Sequence, residues 1–235
     1  MDWTAPIDIY CERLGPGFWA EPINALSNLA FLVAALVAAV IARRQGVRQH
    51  ALWALVVLAA MIGVGSFLFH TYATPWAALA DVLPIWTFVV LYLTTFATQV
   101  AGIRPLRLVF GAALALIGLV AAMALFEALL GAARGALNGS EQYAPALLAL
   151  AVFSVILIRR RHPQARLITA TTGVFTLSLI FRTLDVHLCG ALPHGTHFLW
   201  HILNGTVIGM LLIALIRGLA APVSAPTLDD RHPDR

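Results

Sequence analysis

Five polar side chains interrupt a strongly apolar chain, and their spacing is that of helix faces. Ser66 and His70 are four residues apart, as are His197 and His201, so each pair lies on one face of a helix. Asp81 follows His70 by eleven residues. Three imidazoles from two helices match the ligand set of a catalytic zinc ion, and Asp81 could orient or deprotonate a water at the open fourth position.

Other interpretations of these residues stay open. An isolated histidine in a membrane helix more often hydrogen-bonds to a neighbouring helix than binds a metal, and intramembrane acids and histidines also form proton relays in transporters. Haem fits poorly, because two histidines on one face of one helix cannot occupy opposite axial positions. His187 and His194, close to the second pair, are further candidate ligands.

Composition places all of these residues in a membrane protein. Of the 235 residues, 60% are hydrophobic and only 11% are charged, and the mean hydropathy is +0.86. The chain contains no lysine, which excludes a retinal Schiff base. The formal net charge of +4 arises from arginines in short loops. This placement is a topology signal, so no nucleic-acid partner is expected.

Apolar stretches of about 20 residues, the length that crosses a bilayer, predict an all-α bundle of seven transmembrane helices. They cover residues 23–42, 51–70, 76–98, 106–126, 143–158, 167–186 and 197–217. An external N-terminal arm (1–22) precedes this membrane domain (23–217), and a tail (218–235) rich in Pro, Asp and Arg is expected to be disordered.

Arginines concentrate in every second loop, so the positive-inside rule places the N-terminus outside and the C-terminus in the cytoplasm. The Arg- and Ala-rich, lysine-free composition indicates a bacterium, and hence its inner membrane. With this topology His70, Asp81 and His197 all lie at the outer, periplasmic end of their helices. Polar residues of the first and sixth helices join them there: Glu21, Asn24, Ser27, Asn28, Arg182 and Asp185.

Two pairs of residues on the outer side can each be interpreted in two ways. Arg182 and Asp185, three residues apart on one helix, either form an ion pair or support the metal site. Cys11 and Cys189 are either two separate thiols or a disulfide, and their shared oxidising compartment favours the disulfide.

Five stretches together resemble the alkaline ceramidase family, part of a superfamily of seven-helix membrane hydrolases that includes the adiponectin receptors. The resemblance spans residues 8 to 201, and the five stretches occur in the same order: Glu21 to Asn28 (EPINALSN), Gly65 to His70 (GSFLFH), Asp81, Phe181 to Asp185 (FRTLD) and His197 to His201 (HFLWH). The resemblance implies that His70, His197 and His201 bind zinc. It implies further that Asp81 is the acid/base and that Ser66 steadies the oxyanion.

The resemblance also implies a calcium site between the arm and the first helix, formed by Asp8, Glu12 and Glu21 with the carbonyls of Tyr10 and Leu14. The arm departs from the family in its spacing and at Leu14, where a polar ligand is expected. Pairing of Cys11 with Cys189 agrees with the family's link between the arm and the loop after helix six.

Together these expectations describe a zinc-dependent membrane amidase. It would hydrolyse the N-acyl bond of ceramide, or of a similar lipid amide, to a fatty acid and a long-chain base. Its partners would be the lipid amide and the surrounding membrane lipids. A receptor or transporter with a structural zinc ion is the alternative that the wider superfamily allows.

Overall fold

A computed structural model describes residues 2–130 and 137–220, without the side chains of residues 119, 122–123 and 125–130. Within these ranges the protein is helical and contains no β-strand. Its helices are Pro22–Ser27 (α1), Leu29–Arg44 (α2), His50–Tyr72 (α3), Pro75–Thr95 (α4), Pro105–Leu130 (α5), Ala144–Arg159 (α6), Ala165–Leu188 (α7) and His197–Ala220 (α8). A π-helical turn, Phe96–Val100, extends α4, and a 3₁₀ turn, Ser140–Tyr143, precedes α6.

Helices α1 and α2 follow each other through Asn28 and form one span, Pro22–Arg44. In the described part of the chain, six spans are long and apolar enough to cross a membrane, and α5 is apolar over Pro105–Gly118. Many large apolar side chains on the outer faces of the helices are exposed, as lipid contact requires. The predicted all-helical bundle of seven helices is confirmed for the described residues, and six of the seven are apolar enough to cross a membrane. Residues 221–235 of the predicted tail lie outside the described ranges.

The last helix, α8, forms the centre of the bundle. It is the most buried of the spans and packs against α2, α7 and α3. Small residues allow the close approach to α2, since a β-carbon at Gly205 would lie only 2.6 Å from the Ala30 β-carbon. Such contacts hold membrane helices together, because lipid supplies no hydrophobic force between them.

Helices α3 and α4 approach each other most closely beside the candidate site. The carbonyl of Ala80 points at Gly65, where a β-carbon would clash with it. Pro84 lies inside α4 and has no N–H, so it cannot donate the usual helical hydrogen bond to that carbonyl. Gly65 therefore fixes the distance between α3, which carries Ser66, and α4, which carries Asp81.

The N-terminal arm folds over the end of the bundle where α3 ends and where α4 and α8 begin. The amide of Ile7 donates a hydrogen bond of 2.7 Å to the carbonyl of Ala73, in the turn between α3 and α4. A disulfide joins Cys11 to Cys189, just beyond α7, with the two α-carbons 5.3 Å apart. The favoured pairing of the two cysteines is thus confirmed, and the arm is covalently attached to the bundle.

Candidate metal centre

Three histidines meet at this end of the bundle. His70 lies in the last turn of α3, which is followed directly by Ala73 in a left-handed conformation. His197 is the first residue of α8, and His201 follows one turn later. All three are about 1% exposed. One ring nitrogen from each lies within 4.8 Å of the others, close enough to bind a single metal ion.

The hydrogen bonds of the outer ring nitrogens determine which nitrogens face the centre of the cluster. His70 Nδ1 lies 2.6 Å from Glu21 Oε2, an acceptor, so we assign the proton to Nδ1. The Ser27 hydroxyl donates to the Asn24 carbonyl at 2.7 Å. Its oxygen therefore accepts from His201 Nδ1, also at 2.7 Å. In both neutral rings the lone pair is then on Nε2.

These two lone pairs point at each other. His70 Nε2 and His201 Nε2 are 3.1 Å apart, and two bare lone pairs at this distance repel unless a cation lies between them. Tetrahedral zinc with bonds of about 2.05 Å to nitrogen would place its ligand atoms about 3.3 Å apart. His197 completes the cluster, and its Nδ1 is buried without a hydrogen-bond partner. The donor set therefore fits a metal ion.

Glu21 supports the cluster from the arm side. Besides His70, its carboxylate accepts hydrogen bonds from Arg13 Nε at 2.5 Å and Asn24 Nδ2 at 3.1 Å. Burial alone would raise the pKa of Glu21, but the hydrogen bonds from His70, Arg13 and Asn24 hold this pKa below its ordinary value. Glu21 is thus ionised at neutral pH and orients the His70 ring, as carboxylates commonly do for metal-binding histidines.

Asp185 supports the cluster from the other side by holding the start of α8. Its carboxylate accepts hydrogen bonds from the amide of Thr196 at 2.6 Å, directly before α8, and from the amide of His197 at 2.9 Å, at the first position of that helix. It also accepts from the amide of Cys11 at 3.2 Å. The buried carboxylate of Asp185 therefore positions His197 and binds the arm. Of the two alternatives that the sequence left for Asp185, this is support of the metal site.

Arg182 does not form the ion pair with Asp185 that the sequence left open as one alternative. Its guanidinium donates to the carbonyl of Asn138 and lies 5.5 Å from the ring centre of Tyr143 and 5.7 Å from that of Trp200. Arg182 therefore stabilises the α6 and α8 side of the cavity described below rather than Asp185.

Ser66 and Asp81 lie next to the histidines on facing helices. The Ser66 hydroxyl interacts with the Asp81 carboxylate, and Asp81 Oδ1 is buried without a hydrogen-bond partner. Both residues line the same cavity as His197 and His201. An unpartnered carboxylate oxygen facing a cavity is available to a water or a substrate.

This cavity is polar at the histidine end and apolar along the rest of its length. One face of α4 follows it from Asp81 through Ile85, Phe88 and Tyr92 to Leu93. The twelve residue steps from Asp81 to Leu93 correspond to about 18 Å of helix, slightly more than the roughly 15 Å of hydrocarbon in one leaflet. Its shape and polarity suit a molecule with one polar group and a long apolar chain.

The arm also adds an aromatic ring that sequence reasoning did not find. The Tyr10 ring stacks on His197 with centroids 3.7 Å apart, and it lines the cavity. Burial raises the pKa of Tyr10, so its hydroxyl is neutral at physiological pH. The position of Tyr10 next to Cys11 in the sequence could have indicated this contact, because the disulfide brings the arm to the start of α8.

The structure gives no support to the expected calcium site. Glu12 accepts from the amides of Ile23 at 2.7 Å and Asn24 at 2.8 Å, which leaves both its oxygens engaged at the start of α1. Asp8 is exposed and Leu14 is 92% exposed. His187 and His194 are likewise exposed, and neither joins the three-histidine cluster.

A comparison with known protein families adds independent information. A family model described as Ceramidase matches residues 4–224 of the chain. The chain belongs to the ceramidase family. No curated protein sequence gives a significant match. The matched range contains the arm from residue 4 onwards and every helix of the metal centre, so the resemblance noted from the residues alone is confirmed. Membership of the ceramidase family implies a hydrolase whose substrate is a lipid amide.

Proposed function

We propose that this protein is a zinc-dependent amidase of the membrane. It hydrolyses the N-acyl bond of ceramide, or of a ceramide-like lipid, to a fatty acid and a long-chain base. The observation that carries the proposal is the pair of facing Nε2 atoms, 3.1 Å apart, at the polar end of a long apolar cavity. Three neutral imidazoles are the ligand set of a well-known class of catalytic zinc sites.

Four side chains would share the binding and the chemistry. His70, His197 and His201 would hold the ion, which when bound lowers the pKa of a water towards about 7 and polarises a carbonyl. Asp81 accepts the proton of the attacking water and delivers it to the nitrogen of the leaving amine. The new carbon–oxygen bond belongs to the fatty acid, and the broken carbon–nitrogen bond releases the long-chain base.

Ser66 would act on the charge that develops on the carbonyl oxygen. Its hydroxyl shares the cavity with Asp81 and the histidines, so it can turn from the carboxylate to the oxyanion. Loss of one such donor typically costs about 3 kcal/mol of transition-state stabilisation. Glu21 and Ser27 take no part in the reaction itself. They keep the lone pairs of His70 and His201 directed at the metal position.

The cavity supports a lipid substrate rather than a soluble amide. Its apolar walls along α4 and α8 accept an acyl chain, while the amide reaches the histidines at the polar end. We place this end on the outer side of a bacterial inner membrane, with the N-terminus outside, on the basis of the arginine distribution in the loops. A two-tailed lipid would reach the site without leaving the hydrocarbon.

The test combines metal analysis with an activity panel. Purified protein in detergent is analysed for bound metals and is incubated with a panel of N-acyl lipids, with and without a zinc chelator. We expect zinc close to one per chain, fatty-acid release from a ceramide, loss of release with the chelator and recovery with added zinc. A receptor or transporter with a structural zinc ion would release no fatty acid from any lipid.

Asp81→Asn separates metal binding from catalysis. We expect this variant to keep zinc and to lose turnover by roughly 10²- to 10⁴-fold, because a general acid/base is removed and no ligand is. Asp8→Asn, the same change at an exposed carboxylate, is the matched control and should leave both zinc and turnover unchanged. Hydrolysis at the full rate by metal-free protein would rule out the mechanism.

A further inference from the structure

The N-terminal arm carries a buried arginine in the region where the family resemblance predicts a calcium ion. Arg13 is 7% exposed. Its guanidinium donates to Glu21 Oε1, to the Gly15 carbonyl at 3.1 Å and to the His70 carbonyl at 3.0 Å. A buried cation of this kind requires a charged partner and several acceptors, and Arg13 has both.

Glu21 connects this arginine to the metal centre. Its Oε1 accepts from Arg13, and its Oε2 accepts from the imidazole of His70 at 2.6 Å. The guanidinium also binds the main chain of His70. Arg13 thus acts on one candidate metal ligand twice, once through the backbone and once through the carboxylate that orients its ring.

The same contacts leave a divalent cation without ligands. Both oxygens of Glu12 are taken by main-chain amides, and Glu21 is neutralised by Arg13. The three acids Asp8, Glu12 and Glu21 do not converge as a metal-binding group, whereas the three histidines do. A calcium ion would also be repelled by the guanidinium at short range.

We propose that the Arg13 guanidinium takes the place of calcium in this protein. As a permanently charged group attached to the arm, it neutralises Glu21, ties the arm to the end of α3 and keeps the His70 ring oriented. Arg13 is therefore a positioning residue for the metal centre, and the protein is independent of calcium. The inference concerns the site of the proposed function, but its main readouts, thermal stability and zinc affinity, need no hydrolysis.

The first experiment uses the unmodified protein. Melting temperature, bound calcium and bound zinc are measured after dialysis against a calcium-selective chelator and again after addition of calcium chloride. We expect no bound calcium and the same melting temperature and zinc content in both conditions. Calcium that co-purifies, or a melting temperature that rises with added calcium, would overturn the proposal.

The second experiment tests positioning through zinc affinity, measured by competition with a chromogenic chelator. Arg13→Gln should weaken zinc binding about 10-fold or more, because the support of one ligand is lost. Arg13→Lys should retain most of the affinity, because it keeps the charge. Arg48→Gln, at an exposed arginine far along the chain from the arm, is the control and should bind zinc normally.

A purely structural role for Arg13 gives a different result. Phe18→Ala removes an arm side chain that packs on Phe67 and Tyr72 and has no group that could hydrogen-bond to Glu21, so it should lower the melting temperature and leave zinc affinity unchanged. If Arg13→Gln behaves like Phe18→Ala, the positioning role is wrong. If Arg13→Gln does not fold, the zinc affinity of Arg13→Lys and the calcium measurements on the unmodified protein test the proposal instead. Should no lipid be hydrolysed, the proposed amidase fails while these results still apply.

Discussion

A single added methyl group at Gly65 should disable the site without removing its metal ligands. Gly65 faces the Ala80 carbonyl across the contact between α3 and α4, one residue before Ser66 and opposite Asp81. The β-carbon of Gly65→Ala would lie 2.7 Å from the Ala80 carbonyl carbon and 3.1 Å from the Asp81 α-carbon. Ordinary contacts of β-carbons begin near 3.4 Å, so the helices must separate by about 0.7 Å or more.

This separation sets the expected size of the effect. Overpacking of this kind typically costs about 1 to 3 kcal/mol of stability. The displacement also moves Asp81 away from the histidines, and a shift of about 1 Å in a catalytic group can cost on the order of 100-fold in rate. The three histidines lie on α3 and α8, so we expect zinc to remain bound.

The assay compares Gly65→Ala with Gly173→Ala, in which the new β-carbon meets no atom within 4 Å. Melting temperature, zinc content and turnover are measured for both variants. Gly65→Ala should melt lower and turn over roughly 10- to 100-fold more slowly with zinc unchanged. Gly173→Ala should be neutral or slightly stabilising, since alanine favours a helix. Wild-type melting and turnover in Gly65→Ala would refute the reasoning.

Two further predictions concern the groups that orient the histidines. Ser27→Ala removes the acceptor for His201 Nδ1, so zinc affinity measured by chelator competition should fall about 10-fold, whereas Ser27→Thr, which keeps a hydroxyl, should preserve it. Asp185→Asn turns an acceptor for three amides into a weaker, neutral one, and we expect a loss of about 1 to 3 kcal/mol in unfolding experiments. An unchanged zinc affinity in the first variant, or an unchanged melting temperature in the second, would contradict the corresponding role.

Helix positions could be predicted because the bilayer imposes a local rule. Each span needs about 20 apolar residues, and the predicted ends agree with the observed spans Pro22–Arg44, His50–Tyr72 and His197–Ala220 to within about three residues. The convergence of His70, Asp81 and His197 at one end followed from the alternating direction of successive helices. The disulfide was favoured because both cysteines flank that same end.

The contacts of the arm could not be predicted in the same way, because nothing periodic constrains a coil of about twenty residues. Sequence reasoning assigned no role to Arg13, and Tyr10 entered only as a carbonyl donor for calcium. In the structure Arg13 binds Glu21 and the His70 carbonyl, and the Tyr10 ring stacks on His197. These contacts join residues that are distant in the chain, and they depend on how the arm packs over the finished bundle.

The amino-acid sequence by itself therefore determined the class of protein, the number of helices, the candidate ligands and the end of the bundle at which they meet. All of these depend on local hydrophobicity and on the order of the helices. Only the tertiary structure decided that the Nε2 atoms of His70 and His201 face each other and that Arg13 stands in the expected calcium region. Those features depend on helix rotation and side-chain hydrogen bonding, which become defined when the helices and the arm pack together.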